Sequence, residues 1–468
     1  MIEQSKVLKS GVWYTASNFL LKGIGFITTP IFTRLLTTTQ YGEYSNFSTW
    51  YNIITIIITL SLYASLIRAR HDFKDDLDGY VKTILILGTV ATLVFDVLIF
   101  GFLSIVLPLV EIKAEHLILM LASLLVSPAV TIYTTLQQYS YKYKTYAIIS
   151  VSIAVLEICT SLALVVFLQD KVLGRVVGTL LPLTVISIII YIRLLTKSGA
   201  PKIKYVKYAV GFCLPYIVHL LSNTLLAQSD RVMIYQICGA EANAMYSLAY
   251  SLSQIVSLLW SSMNNAVSPM IGDCLHEKNF ELSRKITAPY VFVFIVPVML
   301  AVLLAPEMIW FFGGDKYKEA IYYIPPIFLG CILQFFYSMY VNIEQYEKKT
   351  GMMALGTFLA AALNVILNAI FIPIYGQTAA AYTTVAGYAF LLTLHYLVVR
   401  KMKLTGVYNG KIICLALSVS AVGTALSLSL YGLPWLRISI IGVLFIGVCW
   451  FAWKYKAKIT QLIKNIIR

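Results

Sequence analysis

Long apolar segments alternate with short polar connections along the whole chain. A helix that crosses a membrane needs about 20 mostly apolar residues, because each residue adds about 1.5 Å and the hydrocarbon layer is about 30 Å thick. Fourteen segments meet this requirement, so the pattern predicts an all-α fold with about fourteen membrane-spanning helices. The predicted spans lie near 11–33, 41–66, 82–108, 115–138, 146–168, 173–195, 208–232, 241–266, 287–312, 319–342, 351–372, 377–399, 409–431 and 434–454.

The composition favours the same class of protein. Hydrophobic residues make up 59% of the chain and charged residues 12%, and the mean hydropathy is +0.81. Soluble proteins are roughly a quarter charged, so lipid must solvate much of this apolar surface. The first segment runs from a basic start past Lys22 to Pro30 without a small-residue cleavage site, so we expect a retained first span and not a signal peptide.

The net charge of +15 indicates a basic membrane face and not a nucleic-acid-binding surface. When the N-terminus is placed in the cytoplasm, most Lys and Arg residues fall in the cytoplasmic connections. The charge pattern therefore predicts a protein of the cytoplasmic membrane with both termini in the cytoplasm and an even number of spans. The seven cysteines are scattered without a CxxC or Cys/His motif, so we expect no disulfide framework and no metal site.

One connection divides the predicted helices into two sets of six. Residues 196–207 are polar and basic, contain Gly199 and Pro201, and follow the sixth span. Short sequence similarities also recur about 200 residues apart, which suggests two six-helix lobes in parallel repeat, although chance similarity between apolar helices is an alternative. The predicted domains are 1–200, 201–403, and two further spans with a basic cytoplasmic tail at 404–468.

Ionisable residues inside a bilayer are costly and are therefore functional candidates. Lys22 lies midway along the first span, among small and polar residues that include Asn18. One interpretation is that Lys22 contacts a phosphate-bearing substrate in a cavity. The other is that it forms a structural ion pair with Asp96 or Glu157, and the sequence leaves both open.

Three further titratable residues lie inside predicted spans. Asp96 and Glu157 are either coupling sites for a proton or Na⁺, or partners of Lys22 in structural ion pairs. His219 is either a hydrogen-bonded packing residue or a proton site, because the imidazole titrates near neutral pH.

A group of charged residues lies at the helix ends. The outer ends hold Arg34, Arg175 and the pair Asp230 and Arg231. The three arginines are exceptions to the excess of positive residues on the cytoplasmic side. All four residues are candidates for an outer gate or a positive vestibule, and interfacial anchoring is the alternative. Arg68 lies at the inner end of the second span beside an acidic loop.

The side chains of Asn364 and Asn368 share one helix face and either join helices or line a polar cavity. The sequence contains no metalloprotease, nucleophile-elbow, nucleotide-binding or dinucleotide-binding motif and no sizeable outer loop. These observations favour a transporter without catalytic residues or a cofactor.

Three sets of motifs resemble the polysaccharide flippases of the multidrug/oligosaccharidyl-lipid/polysaccharide exporter superfamily. They are TRLL at 33–36 with QYGEY at 40–44, DRVM at 230–233 with Gly239 and YSLAY at 246–250, and EKKT at 347–350 with Asn364, Asn368, IPIYG at 372–376 and AAA at 379–381. The third set is the most specific, and together the motifs cover nearly the whole chain.

The resemblance implies two six-helix lobes in a V around a central cavity. The implied substrate is an undecaprenyl-pyrophosphate-linked oligosaccharide for O-antigen or capsule synthesis, which moves from the inner to the outer leaflet by alternating access. Cavity cations would hold the pyrophosphate, and Lys22, with Asn18 and Arg68 as weaker candidates, matches that role. A Na⁺ or H⁺ gradient would drive the cycle, and a polysaccharide polymerase complex is a further partner.

Two features leave alternatives open. Many members of this family have twelve spans, and the extra pair at 409–431 and 434–454 is similar to that of lipid II flippases. A multidrug or organic-cation exporter of the same fold is the nearest rival, and a membrane glycan polymerase is less favoured because no loop is large enough for catalytic groups. A positive cavity favours the flippase, and a negative cavity favours the drug exporter.

Overall fold

The computed structural model describes residues 4–140 and 142–447, and within them the side chains other than those of 4–16, 18, 22 and 350. These residues form helices joined by short turns, and no strand occurs among them. The α-helices are α1 (Gln4–Leu35), α2 (Thr38–Ile58), α3 (Leu66–Asp72), α4 (Leu77–Gly101), α5 (Leu103–Val110), α6 (Ala114–Leu124), α7 (Pro128–Tyr139), α8 (Tyr143–Phe167), α9 (Lys171–Leu195), α10 (Ile203–Cys238), α11 (Ala240–His276), α12 (Glu281–Leu303), α13 (Ala305–Gly313), α14 (Ile324–Tyr346), α15 (Thr350–Tyr375), α16 (Gln377–Lys401), α17 (Gly410–Leu430) and α18 (Pro434–Gly447).

The predicted all-α membrane fold is confirmed, and the predicted number of spans is approximate. Within the described residues, nine helices are long and apolar enough to cross a membrane, or eleven if two bent helix pairs each count as one span. The helices α1 and α11 are not among them. The sequence of α11 contains many serine and amide residues, because this helix lines the space between the lobes. The last predicted span, 434–454, extends beyond the described residues.

Two predicted spans are each broken into two helices. The helix α2 ends at Ile58, and the next segment turns through 53° at Leu60 and Ser61, which have φ of 52° and 44°. The pair α6 and α7 bends by 42° just before Pro128, which has no backbone N–H to continue the hydrogen bonds of the preceding helix. These breaks account for the segments predicted as continuous spans at 41–66 and 115–138.

The helix α10 packs on both lobes. In its first half, Tyr205, Ala209 and Cys213 are buried in a core formed by helices of the first lobe, including Tyr80 of α4. In its second half, Leu226 packs in a cluster with residues of α15 and α16. The long helix therefore connects the two lobes mechanically as well as in sequence.

Salt bridges fix the connection 196–207 to the first lobe. The ammonium of Lys202 lies 2.5 Å from the Asp76 carboxylate, and the Tyr205 hydroxyl donates to the same carboxylate at 2.6 Å. The hydrogen bond between Lys202 and Asp76 raises the pKa of the Lys202 ammonium. Lys197 pairs with Asp78 at 2.7 Å. The start of α10 is therefore held to the beginning of α4.

The end of the fold that the charge pattern predicts to face outward, here called the outer end, brings the lobes together. Asn243 of α11 donates to the Gly42 carbonyl of α2 at 3.1 Å, and the hydroxyls of Ser45 and Ser247 lie 2.6 Å apart. These partners are 201 and 202 residues apart in sequence. The spacing is close to the offset of about 200 residues of the predicted internal repeat, which stays a prediction.

The contact between α2 and α11 is very close at Gly42. A Cβ atom at this position would lie 1.8 Å from the carbonyl oxygen of Ala240, so only glycine fits. Nearby, Arg34 of α1 donates to the Phe311 carbonyl of α13 at 2.9 Å. We call these α2–α11 and α1–α13 contacts the outer seal. These contacts hold the two lobes together at the outer end.

The additional helices pack on the second lobe. The helix α17 contacts α12 and α14. The hydroxyl of Tyr431, just after α17, donates to the Val302 carbonyl at 2.7 Å. Arg437 of α18 is buried and forms an ion pair with Glu307 of α13. The start of α18 is therefore fixed to the outer end of the second lobe.

Candidate functional site

A polar cavity of about 190 Å³ lies between the two lobes, beneath the outer seal. Five helices contribute to its wall, and most of the side chains are hydroxyls, aromatic rings or arginines. The lining residues are Gly25, Thr28, Thr29, Phe32 and Leu36 of and just after α1, Tyr41, Tyr44, Ser45 and Ser48 of α2, Arg175 of α9, Arg231 of α10, and Ser247 and Ser251 of α11. We call this space the central cavity.

Arg175 supplies one of its two positive charges. Its guanidinium lies 3.7 Å from the centre of the Phe32 ring and 4.8 Å from that of Tyr44. Its Nη1 atom is buried and has no hydrogen-bond partner among the residues that the structure describes. Aromatic faces attract a cation without occupying its N–H donors, so Arg175 is held in place with a donor still available.

The packing of α8 on α9 determines where Arg175 lies. A Cβ at Gly178 would lie 2.3 Å from the Cα of Ser161, so glycine allows the two helices to approach very closely. Glu157 of α8 interacts electrostatically with Arg175 and accepts a hydrogen bond from Thr179. The predicted membrane carboxylate therefore faces Arg175, and its role in coupling or structure stays a prediction.

Arg231 supplies the second positive charge from the other lobe. Its guanidinium lies 4.4 Å from the centre of the Tyr250 ring, and its Nε atom is buried without a hydrogen-bond partner within residues 4–140 and 142–447. The backbone N–H of Arg231 donates to the neighbouring Asp230 carboxylate at 2.8 Å, and the Tyr246 hydroxyl donates to the same carboxylate. Asp230 is 1% exposed and therefore lies behind the cavity wall, while Arg231 faces the cavity.

The arrangement is suited to binding a multivalent anion. Two guanidinium groups from different lobes share one small cavity, and each keeps an unused donor. Guanidinium binds phosphate through charge-assisted hydrogen bonds, which are roughly twice as strong as neutral ones. A ligand with two linked phosphates could contact both lobes at once.

An apolar groove of about 570 Å³ adjoins the central cavity between α1 and α11. The two spaces share Gly25, Thr29 and Ser251. The rest of the groove wall is mainly hydrophobic and includes Phe19, Phe26, Ile27, Ile255 and Leu258. We call this space the lateral groove, and it connects the charged cavity to an apolar surface.

Comparison with known families identifies the group to which the protein belongs. Residues 7–275 match the family described as "Polysaccharide biosynthesis protein". The chain belongs to this family. Residues 215–370 also match the family described as MatE. The resemblance to the multidrug/oligosaccharidyl-lipid/polysaccharide exporter superfamily is thereby confirmed.

Individual relatives agree with this assignment to the polysaccharide biosynthesis family. The "Lsg locus putative protein 1" of Haemophilus influenzae is 23% identical over 371 residues, which cover 77% of this chain and 90% of the relative. The solved structure of the lipid II flippase MurJ in an inward closed conformation aligns with a TM-score of 0.71 at 13% identity, covering 96% of this chain and all of that one. An inward-facing MATE family multidrug transporter aligns with a TM-score of 0.67 at 17% identity, covering 83% of this chain and 94% of that one.

This family member also contains a buried network of amides and hydroxyls behind Arg231. Asn364 donates to the Thr384 hydroxyl at 3.3 Å, and Asn368 donates to the Asn364 side-chain oxygen at 3.2 Å. The Thr383 hydroxyl donates to Asn368. Both asparagines are completely buried, so they join α15 to α16 and do not line the central cavity. We call this set the amide network.

Replacement of Asn368 by leucine is expected to destabilise the second lobe by about 1–2 kcal/mol, because Thr383 and Asn364 then lose a buried partner. The midpoint of unfolding in mixed detergent micelles measures this loss. Asn223→Leu is the matched control, since Asn223 is exposed and its side chain is hydrogen-bonded to His219 of the same helix. Equal stability losses in the two variants would contradict a role for the amide network in holding α15 to α16.

The structure places the remaining candidates at several different sites. Arg68 is an exposed residue of α3, paired with Asp72 at 3.3 Å, and does not line the central cavity. Asp96 is buried in α4, and its Oδ1 atom has no hydrogen-bond partner in the described part of the chain. His219 contacts Asn223 at 3.1 Å along α10.

Two of the predicted substrate-binding residues belong to the first helix. Lys22 and Asn18 lie within α1, but their side chains are outside the described residues. Their predicted roles stay predictions. The backbone of α1 on either side of Lys22 borders the lateral groove at Phe19 and Gly23.

Sequence reasoning missed how the cavity is built. It assigned Arg175 and Arg231 to an outer gate or vestibule and did not predict that they share one cavity across the lobes. It also missed the aromatic rings of Phe32, Tyr44 and Tyr250 that hold the two guanidiniums. The signal in the sequence was that both arginines lie at outer helix ends, whereas most positive residues lie on the cytoplasmic side.

Proposed function

We propose that this protein is a flippase for lipid-linked oligosaccharides in surface polysaccharide synthesis. The substrate class is an undecaprenyl-pyrophosphate-linked repeat unit for an O-antigen or capsule, moved from the inner to the outer leaflet of the cytoplasmic membrane. The protein acts as a transporter and not as an enzyme, with both termini in the cytoplasm. Membership of the polysaccharide biosynthesis family supports this substrate class.

The observation that carries the proposal is the pair of arginines in the central cavity. Arg175 and Arg231 both line a polar space between the lobes, and each has a buried N–H donor without a partner in the described part of the chain. Because the substrate pyrophosphate carries the negative charge of the transported molecule, two cationic donors would bind and orient its headgroup. The hydroxyl-rich wall offers hydrogen-bonding groups for the adjoining sugar.

The lateral groove supports a lipid-linked substrate. An undecaprenyl chain is far too large for a cavity of about 190 Å³ and has to remain in an apolar environment. The groove between α1 and α11 joins the cavity at Gly25 and Thr29. The lipid tail would leave the cavity through this groove, while the headgroup stays beside the arginines.

Alternating access would proceed by opening the outer seal. Because each arginine belongs to a different lobe, a bound pyrophosphate would change the interaction energy between the lobes. This change would favour one of the two arrangements of the lobes over the other. The outer seal then separates as the opposite ends of the lobes approach each other. The helix α10, which packs on both lobes, would carry the movement from one lobe to the other.

A Na⁺ or H⁺ gradient would supply the energy for this cycle. The Asp230 carboxylate, the hydroxyls of Tyr246 and Thr384 and the amide of Asn364 form one hydrogen-bonded chain directly behind Arg231. Carboxylate, hydroxyl and amide oxygens are the ligand types that hard cations prefer, and a carboxylate also accepts a proton. Cation binding there would act on the neighbouring cavity arginine. A polymerase complex would be a further partner in the pathway.

A multidrug exporter of the same fold is the second candidate, supported by the MatE match over residues 215–370. An organic cation needs acidic or aromatic groups in its binding site, and here the aromatic rings are already occupied by arginines. The positive central cavity therefore favours an anionic substrate. A lipid II flippase meets the same requirement and differs only in the glycan carried.

Transport in proteoliposomes tests the proposal. The native protein is expected to move fluorescent undecaprenyl-pyrophosphate oligosaccharide between leaflets, and a matched lipid-linked sugar without phosphate is expected to move much more slowly. The same assay is repeated with organic cations as the test compounds. If the protein moves organic cations but not the lipid-linked sugar, the drug-exporter function replaces the flippase.

A further inference from the structure

A histidine and two carboxylates come together at the outer end of the first lobe, away from the central cavity. Glu115 and His116 lie in the first turn of α6, and Asp170 precedes α9. One ligand atom from each residue lies within 4.8 Å of the others. The Nε2 atom of His116 is 3.9 Å from the Glu115 carboxylate.

The carboxylates alone have an ordinary structural explanation. Asp170 caps α9 by accepting the Leu173 N–H at 3.0 Å, and it pairs with Lys113 at 2.7 Å. Glu115 is an acidic residue in the first turn of α6, where the helix dipole favours negative charge. Capping and dipole effects would account for these two residues without a bound ligand.

His116 is the residue that these effects leave unexplained. It is 3% exposed, and its Nε2 atom is buried without a hydrogen-bond partner in the described part of the chain. An unpaired polar atom in a buried position costs free energy, and most such atoms in folded proteins have a partner. The His116 ring packs against Phe47 with 6.3 Å between ring centres, so the unused nitrogen is fixed beside the two carboxylates.

We propose that Glu115, His116 and Asp170 bind one divalent transition-metal ion of the Zn²⁺ class. An imidazole nitrogen and two carboxylate oxygens form a ligand set that such ions use, with water in the remaining position. Ligand atoms around tetrahedral Zn²⁺ lie about 3.4 Å apart. The set therefore has to contract by up to about 1.4 Å. Glu115, whose side chain is 53% exposed, can supply this movement by rotating.

Lys113 competes with the ion for Asp170. Its ammonium occupies one carboxylate oxygen and has to move when the metal binds. The Glu43 carboxylate interacts electrostatically with Lys113 and offers that ammonium a second partner. Removal of the Lys113 charge is therefore expected to tighten metal binding, which a purely structural cluster would not show.

The metal site would join the outer ends of α6 and α9. Arg175 lies five residues after Asp170 on α9, so the bound ion would restrain the helix that carries one cavity arginine. The inference does not depend on the identity of the transported substrate. Its test accordingly uses metal binding and not transport.

Zn²⁺ titration and the absorption spectrum of bound Co²⁺ test the site in the purified full-length protein. The native chain is expected to bind one ion with a spectrum of nitrogen and oxygen ligands and without the thiolate charge-transfer band that cysteine ligands give. His116→Ala is expected to weaken binding at least about tenfold, and Glu115→Gln to weaken it in the same direction. Lys113→Met is expected to tighten it.

The controls separate loss of the site from loss of the fold. His219→Ala removes a histidine elsewhere and is expected to bind the ion as the native chain does. His116→Gln keeps a polar side chain if the alanine variant fails to fold, and it should also lose the ion. Unchanged binding in the His116 variants, a thiolate spectrum, or weaker binding in Lys113→Met would overturn the proposal.

Discussion

The double variant Arg175→Ala, Arg231→Ala is expected to lose essentially all transport of pyrophosphate-linked oligosaccharide. Each guanidinium contributes charge-assisted hydrogen bonds to the phosphates, and loss of such a bond costs about 1.5–3 kcal/mol. Each single variant should therefore move the substrate about tenfold to a hundredfold more slowly. Initial rates of flipping in proteoliposomes measure the effect.

Arg193→Ala is the matched control for this experiment. Arg193 lies on α9, as Arg175 does, and its guanidinium also lies over a tyrosine ring, 5.6 Å from the centre of Tyr133. It does not line the central cavity. The control should retain transport close to the native rate. Native rates in the double variant, with correct folding, would show that the substrate is bound elsewhere.

The variant Gly42→Ala is expected to open the outer seal and to stop transport. The added methyl group would lie 1.8 Å from the Ala240 carbonyl oxygen, and a backbone atom cannot move aside as a flexible side chain can. The helices α2 and α11 therefore have to separate at their outer ends. The contacts between Gly42 and Asn243 and between Ser45 and Ser247 should be lost together.

Cysteine labelling from the outer side measures this opening. Ser48 lines the central cavity, so Ser48→Cys reports whether a membrane-impermeant maleimide reaches it. Labelling of Ser48→Cys should be slow in the chain that keeps Gly42 and fast in the chain that also carries Gly42→Ala. Gly101→Ala is the control, because a Cβ at Gly101 has no neighbour within 4 Å. Slow labelling together with normal transport in Gly42→Ala would contradict the close approach of α2 and α11.

Most of the fold could be predicted from the apolar pattern, because each span has to shield its backbone polar groups from lipid. The spans predicted at 351–372 and 377–399 imply a short connection, and the structure reduces it to Gly376, where α15 and α16 meet. Of the two breaks inside spans, the one after α2 was not predictable. The bend at Leu60 and Ser61 lies in an apolar and hydroxyl-containing segment that has no proline or glycine. The helix α11 was predicted as the span 241–266 in spite of its polar residues, and many of its apolar side chains pack in the core of the second lobe.

The candidate site was harder to predict because its residues come from both lobes. Arg175 and Arg231 stood out as positive charges at outer helix ends, but one sequence does not show that α9 and α10 face the same cavity. The same limit applies to Glu344, whose carboxylate lies 2.8 Å from the imidazole of His395 with both side chains buried. Contacts between distant helices depend on packing, which helical periodicity alone does not define.

A structure of the protein with a bound undecaprenyl-pyrophosphate oligosaccharide tests the central claim most directly. The result we predict is a pyrophosphate in the central cavity within hydrogen-bond distance of both Arg175 and Arg231, with the lipid chain lying in the groove between α1 and α11. A pyrophosphate bound outside this cavity, with both guanidiniums still free, would contradict the account.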